Sequence, residues 1–246
     1  MSCVEFIAHR GDRRRYPENT PAAFRSAIER QNGDGRITGI ELDIQLTADG
    51  RVVVFHDGNL KRTCGENVAI SRTTYAEISA LAEPSELLAG QPIPLLADVL
   101  AMVGHRTRLL IEIKASGYDL AVLADRVADL LDAFQPRGDV VLHSFSVEAL
   151  EKIIPATRHL EVAYGLLLGT IESLEAAPAE LMARVDYLHP NWQVLIDHPA
   201  QLADRGLPLN TWTVNSLEPM RQLISMADRV NLVGIITDDL DLIDQL

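Results

Sequence analysis

The sequence predicts an α/β fold in the form of a closed (β/α)8 TIM barrel. Short apolar runs typical of buried strands alternate with longer amphipathic runs typical of helices along almost the whole chain of 246 residues, and this alternation favours parallel strands joined by crossover helices. The chain holds nine strand candidates, one more than a closed eight-stranded barrel uses. Between the second and the third, Asp49-Gly50 favours a tight hairpin, and no crossover helix fits in that gap. Eight parallel strands therefore remain, with one hairpin strand appended after the second.

The elements follow one another in a regular order. The predicted strands are the apolar runs at residues 4–8, 40–44, 51–55, 109–113, 139–143, 161–167, 185–189, 208–214 and 233–236. The predicted helices are the amphipathic runs at residues 20–31, 73–81, 95–103, 119–134, 146–153, 171–183, 198–205 and 217–227. Several helices have recognisable starts, because Asn19-Thr20 offers a capping side chain before Pro21, and Ser146 and Ser216 are placed similarly.

The hairpin also predicts which residues share a face. A two-residue loop at Asp49-Gly50 places Asp43 opposite His56 when the pairs are counted outward. Directly opposed residues lie on the same face of an antiparallel ribbon. His56 is therefore expected to return to the side that carries Glu41 and Asp43.

The stretch from about 57 to 93 differs in character from the rest. It contains three glycines and two prolines, with only one short helical run, a composition typical of loops. We therefore predict a single barrel domain over residues 1–246, in which 57–93 is a small insertion after the second barrel strand and its hairpin.

The amino-acid composition disfavours several classes of binding partner. The formal net charge is −13, from 22 basic and 35 acidic residues, so the surface repels nucleic acid and anionic membranes. No apolar run reaches the ~20 residues of a membrane-spanning helix, so stable membrane insertion is not expected. Cys3 and Cys64 cannot build a disulfide framework, and no secretory signal precedes the first strand. A cytoplasmic location is expected, and no feature indicates an oligomeric state.

Three carboxylates occupy positions where a buried strand normally carries apolar residues. Glu41 and Asp43 interrupt one apolar run, two positions apart and so on one face, and Glu112 interrupts a later run. A buried carboxylate needs a counter-charge or a metal ion. Without a thiolate ligand, this oxygen-rich set favours a divalent Mg²⁺ or Ca²⁺ ion, both of which accept the same ligands. The alternative is a set of ion pairs with nearby cations, namely Arg10, Lys114 or Arg62.

Two histidines and two cationic residues stand at strand ends. His9 and His56 each end an apolar run, and the carboxyl ends of barrel strands carry the catalytic groups. Imidazoles there are suited to general acid–base catalysis near neutral pH. Arg10 and Lys114 place positive charge at the same rim, which suits a phosphate group.

A series of short motifs runs in order along nearly the whole chain. They are His9-Arg10-Gly11, Pro17-Glu18-Asn19-Thr20, Glu41-Leu42-Asp43, His56-Asp57 with Leu60-Lys61-Arg62-Thr63, Ile93-Pro94-Leu95, Ile111-Glu112-Ile113-Lys114, His143-Ser144-Phe145, Asn210-Thr211-Trp212-Thr213-Val214-Asn215 and Gly234-Ile235-Ile236-Thr237-Asp238. Each motif alone is weak evidence for a protein family, but the complete set in this order is highly specific for one family. In this set the chain resembles the glycerophosphodiester phosphodiesterase family.

The resemblance implies a metal-dependent hydrolase that cuts glycerophosphodiesters to sn-glycerol 3-phosphate and an alcohol. It implies that a glycerol hydroxyl of the substrate is the internal nucleophile and that water then opens a cyclic phosphate. The roles it implies are metal binding for Glu41, Asp43 and Glu112, acid–base catalysis for His9 and His56, and phosphate binding for Arg10 and Lys114.

Other polar residues are less specific. His143 ends a strand at the same rim, and Trp212 lies on a late strand, so both are candidates for the pocket or for contacts that support it. Core packing is the alternative for Trp212. Glu18 and Asn19 are expected to organise the start of the first helix, and Asp57 to orient the turn in which it lies.

Two other functions are open at this stage. A related barrel phospholipase acting on lysophospholipids or phosphoinositides would need an apolar rim facing a membrane, whereas residues 57–93 show no aromatic cluster and little basic charge. A catalytically silent barrel that only binds polyol phosphates is disfavoured, because both histidines and all three acids are present. A small-molecule glycerophosphodiester is therefore the expected partner.

Overall fold

Eight parallel strands close a ring, and a ninth strand lies outside it. The computed structural model describes residues 4–246, so Cys3 lies outside the described residues. The strands are β1 (Glu5–His9), β2 (Ile37–Leu46), β3 (Val52–Val54), β4 (Arg108–Ile113), β5 (Arg137–Ser144), β6 (Glu161–Leu168), β7 (Tyr187–Pro190), β8 (Leu209–Thr211) and β9 (Leu232–Thr237). The ring runs β1-β2-β4-β5-β6-β7-β8-β9 and closes on β1, while β3 pairs antiparallel with β2. The predicted barrel with its appended hairpin strand is confirmed.

Helices connect the strands of the ring. They are α1 (Pro21–Asp34), α2 (Lys61–Cys64), α3 (Tyr75–Ala82), α4 (Leu96–Val103), α5 (Leu120–Phe134), α6 (Val147–Thr157), α7 (Ile171–Glu175), α8 (Ala179–Met182), α9 (Trp192–Asp197), α10 (Pro199–Ala203) and α11 (Leu217–Val230). Within residues 4–246, no helix has the length and apolar character needed to cross a membrane. The cytoplasmic location stays a prediction.

One helix prediction from the sequence is wrong, and several short helices are not predicted by it. The single helix predicted over 171–183 is wrong, because α7 and α8 are separate and Pro178 stands in an extended conformation directly before α8. Proline cannot donate a backbone hydrogen bond within a helix, so a continuous helix is disfavoured there. The short elements α2 and α9 were not predicted, nor were the 3-10 turns at Ile70–Arg72, Glu86–Leu88 and Leu240–Gln245.

Two apolar layers support the interior of the ring. The larger layer packs between the strands and the surrounding helices. The smaller layer fills the inside of the ring with Ile7, Leu110, Val141 and Ile236. Because strand side chains alternate between faces, each of these residues shares the inner face with a polar residue two positions later. Those polar residues are His9, Glu112, His143 and Asp238.

The hairpin register differs from the prediction by one residue. Residues 48–50 form a three-residue loop in which Gly50 has a φ of 74°, a left-handed conformation that glycine adopts readily. The backbone N–H of Phe55 donates to the carbonyl of Asp43 at 2.9 Å, so Asp43 stands opposite Phe55. The predicted pairing of Asp43 with His56 is therefore wrong, because the extra loop residue shifts the ladder.

The segment 57–93 has a small apolar cluster of its own. It contains α2 and α3 and packs against the outer strand β3. The buried members of the cluster are Val53, Phe55, Leu60, Ile70, Ile78, Ala82, Leu88, Ile93 and Leu95. The description of this segment as an insertion within one domain stays a prediction.

Candidate active site

The acids Glu41, Asp43 and Glu112 lie together inside the ring. The strand register pairs Asp43 with Glu112 and His9 with Glu41. The relative exposure is 2% for Glu41, 0% for Asp43 and 8% for Glu112. One carboxylate oxygen from each acid lies within 4.8 Å of the other two. This spacing allows one cation to contact all three acids.

The protein balances the charge of these acids only in part. Burial and the neighbouring Asp43 carboxylate raise the pKa of Glu41 well above its usual range, and they raise the pKa of Glu112 to about 7. Burial also acts to raise the pKa of Asp43, but Arg10 and Lys114 hold it well below its usual range. Three buried carboxylates with only oxygen donors fit a hard divalent cation, which Glu41, Asp43 and Glu112 would hold.

Arg10 and Lys114 contact the acids directly. Lys114 Nζ lies 2.8 Å from Asp43 Oδ1 and 2.6 Å from Glu112 Oε1, and Arg10 Nε lies 3.1 Å from Asp43 Oδ2. Both cationic side chains also line the cavity beside the acids. The alternative of ion pairs is therefore realised by these two residues. It is compatible with phosphate binding because both side chains also face the cavity.

His9 is held from one side by Asp238. His9 Nδ1 lies 2.5 Å from Asp238 Oδ1, and His9 Nε2 lies 3.7 Å from Glu41 Oε2. Asn215 fixes Asp238, since its Nδ2 donates to Asp238 Oδ2 at 2.7 Å. Burial lowers the pKa of His9, and the contact with Asp238 opposes this shift. A neutral imidazole with an oriented Nε2 is suited to accept a proton.

His56 reaches the same cavity from the segment after β3. Its Nδ1 lies 2.7 Å from Asp57 Oδ1, and Arg62 Nε donates to Asp57 Oδ2 at 2.6 Å. Asp57 therefore orients the His56 imidazole. The prediction that Asp57 orients only the turn did not include this contact. Burial lowers the pKa of His56, and the Asp43 carboxylate opposes this shift. Both histidines thus present Nε2 while a carboxylate holds Nδ1.

Asn19 and Glu18 belong to the site rather than to the start of the first helix. Asn19 is buried, and its Nδ2 donates to Asp43 Oδ2 at 2.8 Å. The helix cap is Thr20, whose side chain accepts from the backbone N–H of Ala23. The role expected for Asn19 and Glu18 is therefore wrong. Glu18 instead forms ion pairs with three arginines, Arg10, Arg13 and Arg62.

The cavity has a charged side and an apolar side. Its volume is about 180 Å³, and the apolar side includes Phe145, Leu167 and Trp212. Phe145 packs edge-on against Trp212 with ring centroids 5.2 Å apart, and Trp212 Nε1 donates to the carbonyl of His189 at 2.7 Å. Trp212 therefore lines the cavity and also packs against its neighbours.

His143 lines the cavity beside Glu112, with which it is paired in the strand register. Its Nε2 lies 3.9 Å from Glu41 Oε1, and its Nδ1 lies 2.8 Å from His189 Nδ1. Burial lowers the pKa of His143 to about 3, so the imidazole is neutral near pH 7. The proposed supporting role of His143 stays a prediction.

The raised pKa of Glu112 predicts how stability depends on pH. Its folded pKa of about 7 lies above the 4.5 of an unperturbed glutamate, so folding favours the protonated acid. In the presence of chelator, this group should cost on the order of 3 kcal/mol of stability as pH rises from about 4.5 to about 7. Glu112→Gln should remove that loss and be more stable than the wild type at pH 7.5. Urea unfolding of both proteins at pH 5 and pH 7.5 tests this, and an equal stability difference at both pH values would contradict it.

Comparisons with known proteins agree with this geometry. The model of the Glycerophosphoryl diester phosphodiesterase family matches residues 9–242. A glycerophosphodiester phosphodiesterase of Caldanaerobacter subterraneus subsp. tengcongensis is 32% identical over 238 residues, which cover 95% of this chain and 93% of the relative.

Solved structures share the fold over nearly the whole chain. A glycerophosphodiester phosphodiesterase of Thermotoga maritima has a TM-score of 0.73 and 29% identity, covering 98% of this chain and 97% of its own. A phosphodiesterase of Oleispira antarctica, in complex with the product sn-glycerol-3-phosphate, has a TM-score of 0.77 and 22% identity, covering 98% of this chain and 96% of its own. The family match and the identity to the Caldanaerobacter enzyme show that the chain is an enzyme of the glycerophosphoryl diester phosphodiesterase family.

Proposed function

We propose that the chain uses a divalent cation, Mg²⁺ or Ca²⁺, to hydrolyse glycerophosphodiesters to sn-glycerol 3-phosphate and an alcohol. The observation that carries this proposal is the cavity itself, in which buried acids, two imidazoles and two cationic side chains meet. The product bound to the Oleispira antarctica phosphodiesterase supports the same product here.

In this proposal Glu41, Asp43 and Glu112 hold the cation. When bound, the ion stabilises the negative charge that develops on the phosphate oxygens. Arg10 and Lys114 contact the remaining phosphate oxygens, the guanidinium through paired N–H donors and the ammonium as a compact charge. These two side chains already face the cavity while they contact Asp43.

The two imidazoles move the protons. One of His9 and His56 accepts the proton of the glycerol hydroxyl beside the phosphate as that oxygen bonds to phosphorus. The other, protonated on both ring nitrogens, donates its Nε2 proton to the alcohol oxygen as the bond between that oxygen and phosphorus breaks. Water then opens the cyclic phosphate with the two roles reversed. A nucleophile within the substrate needs no separate binding event, which lowers the barrier.

The apolar side of the cavity is proposed to contact the carbon atoms of the substrate. Trp212 and Phe145 present aromatic surface there. Apolar walls with few convergent polar groups are typical of small-molecule sites. We infer that these two side chains position the glycerol or the alcohol, while the charged side holds the phosphate.

A coupled assay for release of sn-glycerol 3-phosphate tests the proposal. We expect turnover of glycerophosphodiesters with choline, ethanolamine and glycerol head groups, loss of turnover with chelator, and recovery with Mg²⁺ or Ca²⁺. Turnover of lysophospholipid micelles in preference to these soluble diesters would favour the phospholipase alternative. Binding of glycerol phosphate without turnover under any cation would favour the silent binder.

A further inference from the structure

Three buried polar side chains form a column inside the ring that ends beside the acids. The column consists of His143, His189 and Asn210, with relative exposures of 1%, 0% and 0%. Asn210 Nδ2 lies 3.3 Å from His189 Nε2, and His189 Nδ1 lies 2.8 Å from His143 Nδ1. The column ends at His143 Nε2, which lies 3.9 Å from Glu41 Oε1. It therefore leads from the middle of the barrel to one of the acids.

Two glycines leave the space that the column occupies. A Cβ atom at Gly165 would lie 2.8 Å from His189 Nε2, and a Cβ atom at Gly234 would lie 2.2 Å from Asn210 Oδ1. Real Cβ atoms do not approach other atoms so closely, so a side chain at either position would displace His189 or Asn210 from this packed interior. β6 and β9 therefore carry glycine at these two positions, which leaves room for the side chains of His189 and Asn210.

Each contact in the column needs one donor and one acceptor. The two Nδ1 atoms at 2.8 Å cannot both carry protons, so one imidazole donates and the other accepts. Each neutral imidazole carries one N–H group. The histidine that donates at this contact is therefore protonated on Nδ1, and the histidine that accepts is protonated on Nε2. The column can therefore have only two arrangements, one with all N–H groups directed toward Glu41 and one with all directed toward Asn210.

The two ends of the column favour the same arrangement. At one end, Asn210 directs its Nδ2 donor toward His189 Nε2, so His189 carries its proton on Nδ1. At the other end, His143 Nε2 faces the carboxylate of Glu41 and has no hydrogen-bond partner among the residues that the structure describes. When Glu41 is ionised, as binding of a metal ion requires, a proton on that nitrogen is attracted by the carboxylate, whereas a lone pair there would be repelled.

We propose that this column makes the barrel selective for the class of metal ion, because it presents an N–H group, and not a lone pair, of His143 to the acid cluster. This inference rests on the proposed metal site. With Nε2 protonated, His143 cannot be a ligand, and the cluster offers only oxygen atoms. Oxygen-only sites favour Mg²⁺ or Ca²⁺, whereas an added imidazole nitrogen favours Co²⁺ or Zn²⁺.

A single isosteric substitution should reverse the column. In Asn210→Asp the ionised side chain only accepts, so His189 donates from Nε2 and accepts at Nδ1. His143 then donates from Nδ1, and its Nε2 lone pair faces Glu41. Asn191→Asp is a matched control, since it introduces the same charge at the end of β7, where the Asn191 side chain accepts from the backbone N–H of Gln193.

Two measurements on the full chain test the proposal. Nitrogen-15 spectra of the histidines, recorded in chelator at alkaline pH where Glu41 is ionised, should show His189 protonated at Nδ1 and His143 at Nε2 in the wild type, and the reverse in Asn210→Asp. Calorimetry should show that Asn210→Asp shifts the ratio of Co²⁺ to Ca²⁺ affinity toward Co²⁺ by at least about tenfold, with no such shift in Asn191→Asp.

Each outcome bears on a different part of the inference. A wild-type His189 protonated at Nε2 would overturn the proposed direction, even if Asn210→Asp does not fold. Reversed protonation without a change in the affinity ratio would overturn the selectivity. A wild type that binds neither metal would contradict the proposed metal site, while the spectra would still report the direction of the column.

Discussion

Alanine in place of His9 or His56 is expected to reduce kcat for glycerophosphodiester hydrolysis by about 10²–10⁴-fold, because each imidazole is proposed to transfer a proton in the reaction. Both residues line the cavity, and each has Nδ1 held by a carboxylate. Neither is among the proposed metal ligands. Steady-state kinetics with saturating cation measures the loss, and calorimetry should show that the affinity for Mg²⁺ or Ca²⁺ changes little.

His159→Ala is the matched control for these variants. Its side chain is about half exposed and contacts Asp132 on the outside of the barrel, so kcat should remain near the wild-type value. Unchanged turnover in either His9→Ala or His56→Ala would remove that residue from the acid–base pair. Loss of metal affinity together with turnover would instead place the histidine among the ligands.

Glu112→Ala is expected to weaken metal binding by more than about 100-fold and to abolish metal-dependent activity. Loss of a residue that merely supports a ligand costs about 10–100-fold in affinity, and loss of a direct ligand should cost more. Glu112 is buried beside Asp43, and one of its carboxylate oxygens lies within 4.8 Å of oxygens of Glu41 and Asp43, close enough for all three acids to share one ion. Calorimetric titration with Mg²⁺ and Ca²⁺ measures the loss.

Glu161→Ala provides the comparison for that variant. Glu161 is an exposed residue that begins β6, at the opposite end of the barrel strands, so metal affinity and activity should be retained. Normal metal affinity in Glu112→Ala would contradict its assignment as a ligand. An unfolded Glu112→Ala protein is not expected, because removal of one buried acid relieves repulsion with Asp43.

The barrel and the acid cluster were predictable because both are local patterns. The alternation of strands and helices sets the ring, and polar residues inside apolar strand runs mark its inner face, as Glu41 and Glu112 show. The hairpin register was not predictable to one residue, because two-residue and three-residue loops share the same glycine signal at Gly50.

Contacts between distant segments were not predictable. Asp238 lies 229 positions after His9, and only closure of the ring brings the two together. Asn19 looked like part of a helix start because it precedes Thr20, yet its left-handed φ of 57° accompanies a contact with Asp43 instead. Such roles depend on the tertiary arrangement, which neither spacing nor composition encodes.

The separate apolar cluster formed by residues 57–93 and β3 affects how the position of His56 depends on local stability. His56 follows directly after Phe55, which belongs to that cluster, whereas His9 is part of the ring. A local opening of the cluster would withdraw one imidazole while the ring and its acids stay folded. If His56 acts in catalysis as proposed, protection of the backbone amides of this cluster from solvent exchange should track activity more closely than the melting temperature does.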